Sequence, residues 1–255
     1  MCVIIVKNEK QKIPTKEYLK KAWTCNPDGA GYMFADDSTV KIRKGFMSFE
    51  AFIEALERDT KKYDLGHKSV VLHFRIATHG GVNAVNTQPF AVSNNIKDLQ
   101  ALSSESSYGF AHNGIIYGYG DNKKQISDTA DFTMTLLSKL DNISNDDVLM
   151  LLDELAYSNS SRFVLMANDG TVHLMGAWEK DAKTGYMLSN KYFLNMAILK
   201  SDTAAPAYTS SMYDYDDYDY HKICDSCGEV AENGTKYLDG WYLCDDCYDY
   251  FKNWD

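Results

Sequence analysis

One stretch of twenty residues decides how this chain can be divided. Residues 201–220 hold five Asp and five Tyr but neither Lys nor Arg. Asp-Tyr repeats broken by small residues cannot close a conventional core, so the stretch reads as an acidic linker. The residues before it show ordinary apolar periodicity. The short segment after it carries four of the chain's six Cys. The predicted organisation is therefore one large domain over residues 1–200, a linker over 201–220 and a small module over 221–255.

With 255 residues the chain has ample length for a sizeable core. No apolar run approaches the ~20 residues needed to cross a bilayer, so no membrane association is expected. The first residues have neither a basic leader nor an apolar segment of signal-peptide length. Met1-Cys2 is accordingly expected to be the true start of a cytoplasmic protein. The net charge of −10 argues against a nucleic-acid partner, because affinity for phosphate rests on clustered Lys and Arg. In a reducing compartment, paired Cys read as metal ligands before disulfides.

Periodicity predicts the elements of the large domain. Cys2 to Val6 reads as a buried strand and Pro14 to Ala22 as a short helix. Tyr32 to Ala35 pairs with Thr39 to Arg43 across Asp36-Asp37-Ser38. Ser48 caps a helix from Phe49 to Arg58, where Phe49, Phe52, Ile53 and Leu56 recur at helical spacing. Ser69 to Arg75 is a strand, Asn94 to Ser107 a surface loop, and Gly109 to Tyr117 a strand with a turn. Two amphipathic helices follow, Asp128 to Leu140 and Ser144 to Leu155, the second with Ser144 and Asp147 placed like a capping box. Arg162 to Ala167 and Thr171 to Ala177 flank Asn168-Asp169-Gly170 as a hairpin. Strands, two helices and further strands imply an α+β fold, with antiparallel sheets covered by helices.

Cys2 is the candidate nucleophile. Once Met1 is removed, its thiol and α-amine share one carbon, and both titrate near neutrality. The amine can then take the thiol's proton, the N-terminal form of nucleophile activation. The same residue also fits the start of an apolar strand, so the segments around it decide between the two. Four concentrate polar residues and Gly beside strands: His73-Phe74-Arg75-Ile76-Ala77-Thr78-His79-Gly80, Asn86-Thr87-Gln88-Pro89-Phe90, His112-Asn113-Gly114-Ile115 and Ser127-Asp128-Thr129.

Taken with Cys2, these segments resemble the class II glutamine amidotransferases, the N-terminal-nucleophile (Ntn) glutaminases, over roughly residues 1–190. The shared pattern is Cys at position 2, then R-x-A-T-H-G, N-x-x-P, H-N-G-I and S-D-T, in the family's order. The resemblance implies an Ntn-hydrolase αββα four-layer sandwich and hydrolysis of L-glutamine to glutamate and ammonia through a Cys2 γ-glutamyl thioester. Arg75 is suited to a bidentate grip on the substrate carboxylate and Asp128 to the ammonium. Asn113 and Gly114 match the family's oxyanion hole, and Thr78, His79 and Gly80 would line the pocket. Gly114 is expected to be Gly so that its backbone can approach the substrate. His73 and His112 are not required as bases, since the α-amine fills that role. The step needs no cofactor. Three positions depart from the family pattern: Ile76 in place of Trp, Val3 in place of Gly, and Gln88 in place of His. None removes a required group.

The class usually passes ammonia to a synthase. No phosphate-binding G-x-x-x-x-G-K-[ST] loop is present, so the ammonia acceptor is expected to be a separate protein or absent. The final module contains Cys224, Cys227, Cys244 and Cys247 in a C-x₂-C-x₁₆-C-x₂-C pattern. Four thiolates at that spacing suit a structural tetrahedral Zn²⁺ in a treble-clef or ribbon-like finger. A terminal helix is expected from Cys247 to Trp254. From His221 to Asp255 three Lys face eight Asp or Glu, so the module is read as a surface for protein docking or self-association. Two alternatives stand beside glutamine hydrolysis: action on another γ-glutamyl amide, and a catalytically silent binding protein that recruits a partner through the finger.

Overall fold

Continuous burial marks the first strand. β1 (Val3–Lys7) is buried at every position, which accounts for the apolar run Val3 to Val6. Its one charged residue is satisfied locally. The Lys7 ammonium donates to the carbonyls of Leu65, Gly66 and Gln11 at 2.7–2.9 Å. Burial pushes that amine down to about 8.

The computed structural model describes residues 2–77, 81–120, 126–195, 236–238 and 241–252. The chain divides into two units, residues 1–199 and 200–255. The first unit runs α1 (Lys16–Cys25), β2 (Ala30–Asp36), β3 (Thr39–Phe46), α2 (Phe49–Tyr63), β4 (Val70–Phe74) and β5 (Phe90–Ala91) after β1. It continues with α3 (Ile96–Gln100), β6 (Ser103–Ser106), β7 (Tyr108–Asn113), α4 (Asp128–Thr135), α5 (Asp146–Ser158), β8 (Arg162–Ala167), β9 (Val172–Gly176), β10 (Glu179–Lys180) and β11 (Met187–Leu188). Two antiparallel sheets result. One has the strand order β10-β11-β1-β4-β2-β3-β6, the other β5-β7-β8-β9. The fold is α+β, as the sequence implies.

Side-chain alternation sorts the cores. Ile4, Val6, Met33, Val40, Ile42 and Val71 of the large sheet meet Ala111, Val164 and Met166 of the small one. The opposite face of the large sheet, with Val3, Ile5, Tyr32, Phe34, Leu72 and Phe74, packs on Leu19 and Trp23 of α1 and on Phe52 and Leu56 of α2. The outer face of the small sheet, with Phe110, Phe163 and Leu165, packs on Phe132 of α4 and on Leu152 and Ala156 of α5. Side-chain caps fix the helix starts: Thr15 accepts from the Tyr18 N–H, Ser48 from Ala51 and Ser127 from Ala130.

Several elements differ from expectation. Asn94 to Ser107 is not a loop but contains α3 and the edge strand β6. Ser-Ser-Glu-Ser has no apolar alternation. It is held by pairing with β3, where Lys41 lies opposite Glu105 and donates to it at 2.9 Å. The cap of α5 is Asn145, whose side chain accepts from the Asp147 N–H, and the Ser144 hydroxyl is buried without a partner. The helix predicted over Asp128 to Leu140 gives way after Thr135 to a 3₁₀ turn, Leu137–Lys139.

In the second unit, β12 (Lys236–Leu238) and β13 (Trp241–Leu243) form a hairpin leading into α6 (Asp245–Lys252). The terminal helix thus begins two residues before Cys247 and is described as far as Lys252; Trp254 lies outside the described residues. Lys236 pairs with Asp245 at 2.7 Å and lies over the Tyr248 ring. Among the described residues, no helix is long and apolar enough to cross a membrane.

Phe52 is fully buried against Tyr32, Phe46 and Phe74. Phe52→Ala is expected to destabilise the protein by about 3–5 kcal/mol in denaturant unfolding. Met150→Ala, at a position 61% exposed on α5, should change stability by no more than about 0.5 kcal/mol.

Candidate active site

Strand register assembles the first part of the site. β1 and β4 pair antiparallel with Val3 opposite Phe74, so the next residue of each strand brings Cys2 beside Arg75. β2 flanks β4 on its other side with Ala30 opposite Phe74. The Arg75 N–H donates to the Gly29 carbonyl at 2.8 Å, and the Arg75 carbonyl accepts from the Asp28 N–H at 3.0 Å. The Asp28 carboxylate accepts from the Ala77 N–H at 2.8 Å. The backbone beyond β4 is thus pinned by the residues that lead into β2. Arg75 itself is buried, and its Nη1 donates to the Gly81 carbonyl at 2.8 Å.

Cys2 is half-buried. Its thiol donates to the Ile76 carbonyl at 3.5 Å. Burial pushes the thiol up, the Arg75 guanidinium pulls it down, and the Asp128 carboxylate pushes it up again. The charges of Arg75 and Asp128 therefore both reach the sulfur. Burial also draws the Arg75 guanidinium down, against the opposing pull of Cys2, Asp28 and Asp128.

Asp128 opens α4. One carboxylate oxygen accepts from the Ile116 N–H at 2.9 Å and the other from the Thr129 N–H at 2.7 Å. These two amides tie the start of the helix to the turn after β7 and hold the carboxylate in place. That turn begins with Asn113 and Gly114. The Asn113 side chain is buried, with Nδ2 donating to the Ser189 hydroxyl at 2.9 Å and Oδ1 without a partner. Gly114 adopts φ +142°, and a Cβ there would fall 2.1 Å from the Ser161 hydroxyl oxygen. That collision and that backbone angle both require glycine here.

Two residues absent from the sequence reading anchor the nucleophile. The Ser189 hydroxyl accepts from the Ile4 N–H at 2.8 Å, and its own N–H donates to the Ile4 carbonyl at 3.1 Å. Asn190 donates through Nδ2 to the Cys2 carbonyl at 2.6 Å. Their only sequence signal is a polar pair directly after a two-residue strand. Gln88 also has a definite task. Its buried side chain accepts from the His112 N–H at 2.6 Å and donates to the Thr129 hydroxyl at 3.1 Å.

The two histidines are inward-facing and kept neutral. His112 is held between the Thr129 and Ser161 hydroxyls, at 3.0 and 3.1 Å, and burial pushes it down to about 4. Both ring nitrogens of His73 are buried without a hydrogen-bond partner. Burial, with the Arg75 charge, pushes that ring down to about 3. Neither ring is bonded to Cys2 among the described contacts.

Cys2, Arg75, Asn113, Gly114 and Asp128 thus share one end of the sandwich. Thr78, His79 and Gly80 lie outside the described residues, as do Cys224 and Cys227. Cys244 is half-buried between β13 and α6, and the backbone places Cys247 in the first turn of α6. Among the described residues, no group of three or more His, Cys, Asp or Glu gathers in a metal-binding arrangement. Comparison with protein-family models and with curated proteins finds no match.

His73 and His112 generate a stability prediction. In the unfolded chain each titrates near 6.5; in the folded protein both titrate lower. As pH falls below about 6.5 the unfolded chain takes up protons first, so stability declines toward pH 4 and below. Denaturant midpoints measured from pH 7 to 4 should fall steadily. A flat profile would contradict the buried, neutral assignment.

Proposed function

We propose that this chain hydrolyses the side-chain amide of L-glutamine to glutamate and ammonia on an Ntn-hydrolase sandwich, with Cys2 as the nucleophile. The observation that carries the reading is the β1–β4 register, which sets Cys2 beside Arg75 at the end of the molecule that also holds Asp128 and Asn113-Gly114. The resemblance of the sequence motifs supports it independently of the geometry.

In this reading Met1 is removed and the α-amine of Cys2 becomes the base. Such a base suits the site, because burial pushes the thiol up and so disfavours the thiolate. The amine takes the thiol proton, and sulfur attacks the γ-carboxamide carbon. The tetrahedral oxyanion is held by the Asn113 amide and the Gly114 N–H, each such donor being worth on the order of 10²–10³ in rate. The C–N bond breaks as the ammonium of Cys2 returns its proton to the leaving nitrogen, releasing ammonia. Water, activated by the same amine, then cleaves the thioester to glutamate and restores the thiol. Arg75 recognises the α-carboxylate with parallel N–H donors. Asp128 receives the α-ammonium. Ammonia passes to a separate cytoplasmic synthase.

The 221–255 module is read as a zinc-stabilised docking surface. Its donor chemistry fits, since four thiolates in two C-x₂-C pairs suit Zn²⁺, and the second pair stands where the hairpin meets α6. Cys224, Cys227, Cys244 and Cys247 would hold the ion. It would serve structure alone, with no open position. The surplus of acid over Lys in the module favours a protein partner.

The raised thiol favours one rival, a silent binding protein in which Cys2 never ionises. Ammonia release from L-glutamine by protein of verified intact mass decides between them. Protein lacking Met1 should turn over, and Cys2→Ala should lower the rate at least ~10³-fold. Full activity in Cys2→Ala, or none in the Met1-free protein, rejects the proposal. A parallel assay with γ-glutamyl conjugates tests for another amide substrate. For the module, metal analysis should find one zinc per chain, lost when thiols are modified; Cys244→Ser should weaken its retention. Zinc-free protein with an unchanged unfolding profile would count against the finger.

A further inference from the structure

The Ser189 hydroxyl is fully buried and has two neighbours, the Ile4 N–H at 2.8 Å and the Asn113 amide at 2.9 Å. The first occupies it as an acceptor. A serine hydroxyl also carries one proton to donate, and the Asn113 amide is the one described group left to receive it. With nitrogen turned toward Ser189, that proton has no acceptor and the Asn113 oxygen is buried with no donor. A half-turn about the last side-chain torsion exchanges the two ends with almost no change in shape. The hydroxyl then donates to the Asn113 oxygen, and the –NH₂ end is left without an acceptor.

We propose that Ser189 is a positioning residue that fixes this second orientation, so that the Asn113 nitrogen faces the oxyanion formed on Cys2. The inference rests on the amidase reading above. An oxyanion hole needs a donor whose acceptor arrives only with the transition state. The same Asn turned the other way would present a carbonyl oxygen to a developing negative charge. Ser189 selects between the two through its proton: the Ile4 N–H takes one lone pair, and among the described groups only the Asn113 oxygen can accept the hydroxyl hydrogen. It is also rigid, because its backbone N–H holds the Ile4 carbonyl at 3.1 Å. Ile4 follows Cys2 by two residues, so one hydroxyl sets both the strand that bears the nucleophile and the amide that meets its product.

The experiment has a kinetic and a structural arm. In Ser189→Ala, kcat for glutamine hydrolysis should fall about 10–100-fold with KM within about twofold. Alkylation of Cys2 by iodoacetamide, which forms no oxyanion, should keep its rate. In an Asn113→Ala background, Ser189→Ala should cost little more. Alkylation that slows in step with kcat, or full multiplication of the two single losses, overturns the proposal, because Ser189 would then only brace β1. Neutron diffraction on perdeuterated wild-type crystals should show the Ser189 deuteron pointing at Asn113 Oδ1. Nitrogen facing Ser189 overturns the proposal whether or not the variant folds. A wild-type protein that releases no ammonia rejects the amidase reading, and the neutron arm still decides the amide's orientation.

Discussion

The pairing of β4 with β1 on one side and β2 on the other is the constraint from which the rest follows. Antiparallel register with a two-residue side-chain repeat leaves no tolerance, because a slip of one residue turns every side chain to the opposite face. A slip of β1 would take Ile4 and Val6 out of the contact between the sheets and move Cys2 away from Arg75. The same register fixes Arg75 through Gly29 and Asp28. Packing and chemistry are therefore specified by one set of hydrogen bonds, and the apolar faces of β1 and β4 protect the geometry of their polar ends.

A buried lysine does similar work at a greater distance. Lys44 on β3 is buried, donates to the carbonyls of Val85 and Leu99 at 2.7 and 2.6 Å, and lies 3.9 Å above the Phe90 ring. Burial and the Arg75 charge push its amine down to about 6, and the two carbonyls each take an N–H whichever protonation state it holds. The effect is to fasten the chain at Val85, just before Gln88, to the large sheet. Gln88 then joins that segment to β7 and α4 through His112 and Thr129. The candidate site is supported by polar groups whose hydrogen bonds are largely consumed within the protein.

Local patterns made much of this legible. Continuous apolar runs gave β1 and β4, helical spacing with Ser48 gave α2, and Asn168-Asp169-Gly170 gave the β8–β9 hairpin. The candidate residues stood out because Arg75 and Asn113-Gly114 stand at the ends of apolar strands and Ser127-Asp128 opens a helix. What escaped was set by long-range pairing. β6 is a strand only because Lys41 and its neighbours on β3 receive it. Ser189 and Asn190 matter only because β11 returns beside β1 after more than 180 residues. At Gly114 the structure adds a constraint of its own, since Ser161 leaves no room for a Cβ and no local pattern places Ser161 there.

The polar character of β6 also bears on how the protein behaves in a crowded solution. Its Ser and Glu side chains occupy one outer edge of the large sheet, and the other edge is the two-residue strand Glu179–Lys180. Sheet edges offer unpaired backbone groups to any passing strand, and charge or brevity makes that offer unattractive. A seven-stranded sheet built around an almost wholly apolar centre is thus closed to growth at both ends. The feature that hid β6 from sequence periodicity is what keeps this sheet from recruiting another.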